Sequence, residues 1–149
     1  MRLIDKAYGI ALDEFKKDWK EISGPGSNPN IKKVYASVDG LGDIKKLDDS
    51  TTSWCACMAN WIIQLAGGKG TRSALAKSFL DDWGRPLAGP VVGCIAVLKR
   101  GNLSWQGHIG FIVWFNDDYI WLLAGNQSDD FSIRKFSRSE VLGYRTSLD

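Results

Sequence analysis

The chain has 149 residues, which is one domain's worth, and its make-up of 44% hydrophobic and 24% charged residues is that of a folded globular protein. A net charge of +2 gives no reason to expect a nucleic-acid partner. The single histidine, His108, excludes HExxH and three-histidine zinc chemistry, and an odd count of three cysteines excludes a fully paired disulfide framework. Reduced thiols, no metal and no cofactor are the expectation.

The opening MRLIDKAYGIALDEFKKDWKE has no continuous apolar stretch and no small-residue cleavage site. It does not read as a signal peptide, and no run of apolar residues is long enough to span a membrane. Reduced thiols suit a cytosol, and if the protein acts outside it, something other than a standard signal peptide must release it. Leu3, Ile4, Ala7, Tyr8, Ala11, Leu12, Phe15, Trp19 and Ile22 recur at spacings of three and four, so the first 21 residues read as an amphipathic helix on the core. SGPGSNPN at 23–30 is a loop, with a short helix or turn over Ile31–Ser37. Residues 38–53 read as a long loop, of the kind that often carries function. Trp54–Ala66 has helical spacing and stops at Gly67-Gly68. Thr71 or Ser73 caps a further helix to about Trp83, and GRPLAGP ends it. The period then changes. Val91–Leu98, His108–Phe115, Tyr119–Ala124 and Phe131–Phe136 read as strands, with a hairpin turn at Asn116-Asp117-Asp118. Helices first and an antiparallel meander second make the class α+β, in one domain over 1–149.

Cys55 stands where a loop meets a helix start. The free N–H groups and partial positive charge there favour a thiolate and can hold an oxyanion. Cys57 lies about 200° around that helix and reads as core. Cys94 opens a strand and reads as a small buried hydrophobe. A cysteine nucleophile needs a base with a pKa near working pH, and His108 is the one imidazole available. The third member should come from the next strand. With a three-residue turn, His108 opposes Asn126; with a two-residue turn the register slips and Gln127 faces it instead. Both strands are apolar on both faces, so the pattern leaves the register open.

These pieces resemble one group. TSWCACMANWIIQLAG, GTRSALAKSFLDDWG, GCIAVLKR, GHIGFIVWF, AGNQ and LGYR, in that order, are similar to the NlpC/CHAP-like, papain-related peptidoglycan hydrolases, in particular the small single-domain endolysins of phages and prophages. KEISGPGSNPNI resembles their usual N-terminal segment, and the likeness runs from about residue 7 to 146. It implies a papain-like fold with N-terminal helices packed on a C-terminal antiparallel sheet. It implies Cys55 as nucleophile, His108 as base and Asn126 as the group that orients the imidazole. The substrate implied is bacterial peptidoglycan, cut at a stem-peptide amide or at the muramoyl-L-alanine link. The chain departs from the group in carrying Asn126 where an acidic residue is common, Ser53 where Pro is usual, and Ala124 at a frequent glycine.

Trp54, Asp49, Trp105 and Gln127 are the candidate substrate contacts. Trp105 precedes His108 in the loop NLSWQG, and Asp48 and Asp49 precede the nucleophile. Aromatic faces suit sugar rings and carboxylates suit amines. A monomer is expected. Two rival readings share the target. A lysozyme-like glycoside hydrolase needs two placed carboxylates, and Glu21, just past a helix end, is its best acid. A non-catalytic wall-binding relative would keep the fold and lose the chemistry.

Overall fold

The computed structural model describes residues 1–21, 28–47, 53–102, 104, 106–127 and 129–149. Among the described residues, four α-helices and six strands alternate little: α1 (Leu3–Glu14), α2 (Pro29–Tyr35), α3 (Cys55–Leu65) and α4 (Ser78–Asp81) come first. They are followed by β1 (Arg85–Leu87), β2 (Ile95–Lys99), β3 (Gly107–Phe115), β4 (Tyr119–Gln127), β5 (Asp130–Ser137) and β6 (Val141–Thr146). The strands form one antiparallel sheet in the order β1-β6-β2-β3-β4-β5. The class is α+β, as the change of period implies. Among the described residues, no helix is long and apolar enough to cross a membrane.

Strand alternation builds two cores. Ile95, Val97, Ile109, Phe111 and Leu123 face α1, α2 and α3. Their neighbours Cys94, Ala96, Leu98, Ile112, Ile120, Leu122 and Ala124 face the other way and are also buried. This is why β2, β3 and β4 are apolar on both faces. On that second face Leu98 of β2 and Phe136 of β5, three places apart in the sheet, line one small pocket.

Several boundaries differ from the sequence expectation. The first helix ends at Glu14, because the N–H groups of Lys16 and Lys17 turn back to the carbonyls of Asp13 and Glu14. Trp19 is buried as its spacing implied, but from the irregular segment that follows the helix. Its Nε1–H donates to the Glu14 carbonyl at 2.7 Å, and its ring meets those of Trp61 and Phe131 edge-on. The helix expected from Thr71 or Ser73 to Trp83 shrinks to Ser78–Asp81. Asn60, fully buried on α3, captures the preceding backbone instead. Its Oδ1 accepts from the N–H groups of Thr71 and Arg72, and its Nδ2 donates to the Ser73 and Ala56 carbonyls. Arg72 adopts a left-handed φ of 56° to comply. GRPLAGP, read as a terminator, supplies β1. The LGYR segment supplies β6, a strand with no clear period that fits between β1 and β2.

Asn60→Ala should therefore cost more than its size suggests. It strips two backbone donors and two acceptors of their partner. A loss of ~2–4 kcal/mol is expected, a fall in Tm of roughly 5–15 °C in thermal unfolding. A fall under about 2 °C would show that the segment holds itself.

Candidate functional site

α3 begins at Cys55 with no side-chain cap, since its N-cap residue is Trp54. The helix is buried almost all round, and it presses its first turn against the sheet where β3 and β4 part. The parting has a local cause. The hairpin turn is Asp117-Asp118, with the Asn116 N–H bonded to the Tyr119 carbonyl, so Phe115 pairs with Ile120. Val113 then bulges, and Ile112 pairs with Leu122. On the other strand, one extra residue enters between Ala124 and Gln127, and Asn126 takes a left-handed φ of 63°. The two bulges offset each other, so the residue beside His108 is the one a plain two-residue turn would bring. The β3–β4 pairing runs to Phe111↔Leu123 and stops short of His108. The Ile109 N–H turns to the Cys55 sulfur.

Gln127 is the buried residue that touches the imidazole. Its Oε1 lies 2.8 Å from His108 Nε2, and its Nε2 donates to the carbonyls of Leu122 and Ser132 at 3.1 and 2.7 Å. Those two partners accept only, which fixes the way the amide points. Its oxygen faces the ring, so His108 Nε2 carries the proton. Nδ1 is therefore the basic nitrogen. Arg100 Nη1 stands 3.3 Å from it, and the ring also hydrogen-bonds the Cys55 thiol. Leu98, cross-strand from His108, and Phe136, whose ring centre is 5.7 Å from the imidazole, box the ring in.

Asn126 lies beside the same pocket, at the bulge, and the contact to His108 expected of it is made by Gln127. Gln127 is 2% exposed, and its amide is turned to His108, Leu122 and Ser132. Trp54 also leaves the list of substrate contacts, because its ring is fully buried. It packs on Gly125 so closely that a Cβ there would come within 2.6 Å of the indole. It wedges the helix start against the bulge. Its Nε1–H is buried without a hydrogen-bond partner among the described residues. Asp49 and Trp105, with Asp48, lie outside the described residues. Trp114 is 62% exposed beyond the Val113 bulge, at the hairpin end of β3.

Burial works against a thiolate at Cys55, yet its surroundings outweigh burial. The hydrogen bond from His108, the charges of His108 and Arg100, and the Ile109 N–H bring the thiol from its ordinary 9.0 down to about 7. The other two thiols move the opposite way. Burial pushes Cys57 up to about 12 and Cys94 up to about 11. All three are free and buried. Only Cys55 has both a base and a cation beside it. A pH titration of absorbance at 240 nm should show one thiolate step centred near pH 7, rising with pH, that vanishes in Cys55→Ser. In His108→Gln the step should move to higher pH, since burial is then opposed by less. A step that stays at pH 7 without His108 would remove the imidazole from its cause.

Among the described residues, no group of three or more His, Cys, Asp or Glu side chains is placed to hold a metal ion. The chemistry available is that of a nucleophilic thiolate, an imidazole that can take and return a proton, and an amide that keeps the imidazole in one tautomer. No protein-family model matches the chain, and no curated protein sequence matches it.

Proposed function

We propose that the protein is a cysteine-dependent peptidoglycan hydrolase, with a papain-like, NlpC/CHAP-type arrangement of helix and sheet. The observation that carries the chemistry is the relay Cys55–His108–Gln127. A lowered thiol at a helix start meets an imidazole whose far nitrogen is tied to an amide oxygen. The similarity of the WC, GHIGF and GNQ segments to that group supports the choice of substrate.

In this reading the Cys55 thiolate attacks the scissile carbonyl, forming a C–S bond. The Cys55 backbone N–H at the start of α3 receives the oxyanion, and the Ser53 hydroxyl, 3.9 Å from the sulfur, stands beside it. His108 Nδ1–H then gives its proton to the leaving amine as the C–N bond breaks. A water, deprotonated at Nδ1, attacks the thioester and returns the sulfur as thiolate. Gln127 keeps Nε2 protonated throughout, so Nδ1 does all the proton transfer. Both the stem-peptide amide and the muramoyl-L-alanine amide fit this sequence.

The test is digestion of purified walls with mass spectrometry of the soluble products. A new amine on L-alanine identifies the amidase and a cut inside the peptide the endopeptidase. Prior alkylation of the thiol should stop release. Release that survives alkylation, or fragments broken at a glycosidic bond, would overturn the proposal.

A further inference from the structure

Lys99, Arg100 and Arg134 line one pocket of about 140 Å³ around His108, with Leu98 and Phe136 as its apolar walls. The cations reach it from two directions: Lys99 ends β2, Arg100 follows it, and Arg134 projects from β5, two strands beyond β3. No acidic side chain lines the pocket, and none of the three cations joins an ion pair among the described residues. The Arg134 guanidinium instead lies 6.0 Å from the centre of the Phe136 ring, the ring that also abuts His108. Three like charges converging on a small opening repel one another, and in a chain of net charge +2 they are not part of a general basic surface. A bound anion would relieve that repulsion. Arginine presents the planar fork that suits a carboxylate, and the pocket has room for a group of that size.

We propose that this pocket is a subsite for a carboxylate of the peptide being cut, so that the protein prefers acidic stem peptides to their amidated forms. The inference rests on the hydrolase reading for its choice of ligand. It rests on the pocket alone for the charge that ligand carries. Because Arg100 reaches both the pocket and His108 Nδ1, the carboxylate would sit within one side chain of the base.

The experiment uses two wall fragments, identical except that the carboxylates of the γ-linked glutamate and the diamino acid are free in one and carboxamides in the other. Their binding to Cys55→Ala is followed by NMR titration, and their cleavage by the wild-type protein by chromatography. The acid should bind at least tenfold more tightly than the amide, with shifts at Arg134, Phe136 and Asn126. Arg134→Gln, at an exposed position, should remove that preference by weakening the acid alone, and Arg134→Lys should restore part of it. Equal binding of acid and amide, or an equal loss of both in Arg134→Gln, would overturn the subsite. Failure of the two readings is distinguishable. Cleavage of both fragments at one rate leaves the hydrolase and removes the subsite. Acid-selective binding without cleavage keeps the subsite and removes the hydrolase.

Discussion

Replacing Cys55 with alanine should leave a folded protein that no longer releases fragments from purified walls. Loss of a catalytic nucleophile lowers turnover by on the order of 10⁴–10⁶-fold, because the remaining groups only bind and polarise. The structural cost is small. One sulfur leaves a buried position, a change of about 1 kcal/mol, and α3 keeps its hydrogen bonds and its packing. Turbidity clearance and thermal unfolding, measured on the same preparation, separate the two effects. Full residual clearance with a normal Tm would end the cysteine mechanism. Cys57→Ala and Cys94→Ala serve as controls, since both thiols are held protonated at neutral pH by burial.

Gln127→Ala should lower turnover by on the order of 10²-fold or more, while Asn126→Gly should stay within about twofold of wild type. The contrast follows from the amide network. Gln127 is the acceptor that keeps His108 Nε2 protonated, and it is the donor to the Leu122 and Ser132 carbonyls. Without it the imidazole can adopt the other tautomer or turn away, and about 1–3 kcal/mol of stability goes with the orphaned carbonyls. A merely structural loss would lower Tm and leave the Cys55 titration near pH 7. A positioning loss moves that titration upward as well. Gln127→Glu separates them further. It can still accept from the ring, but it faces two carbonyl oxygens with no donor, so it should be destabilised too. Asn126 occupies a left-handed φ of 63°, which glycine adopts without strain, so Asn126→Gly should be neutral to stability or slightly favourable. A larger activity loss from Asn126→Gly than from Gln127→Ala would return the positioning part to Asn126.

Under the proposed function, a near-neutral overall charge is at odds with binding an anionic wall by general attraction. The described residues concentrate positive charge locally instead, at Lys99, Arg100 and Arg134 around the base. Local charge acts on a substrate already in place, and it is less screened by salt than a diffuse surface field. This also fits the pKa of Cys55. The Arg100 charge that would attract a carboxylate is one of those that favour the thiolate.

The amino-acid sequence alone determines the α+β class, the helix that starts at Cys55, the meander through β2, β3, β4 and β5, and the pairing of one thiol with one imidazole. Each of these rests on local information: a period of 3.6 or 2, a breaker, or a count of residue types. The third member of the relay, the shortened α4, and the strands β1 and β6 were decided only by tertiary structure. Asn60 overrode the helical preference of 71–77 with three hydrogen bonds to the backbone of Thr71, Arg72 and Ser73. β1 and β6 have little period of their own and exist because they pair with each other and β2. The choice between Asn126 and Gln127 turned on two bulges, at Val113 and at Gly125–Asn126. Strands apolar on both faces carry no record of register, so a shift of one residue costs nothing in the pattern. It is settled where Trp54 meets Gly125 and Gln127 reaches His108, contacts between residues far apart in sequence, with the Leu122 and Ser132 carbonyls holding the Gln127 amide in place.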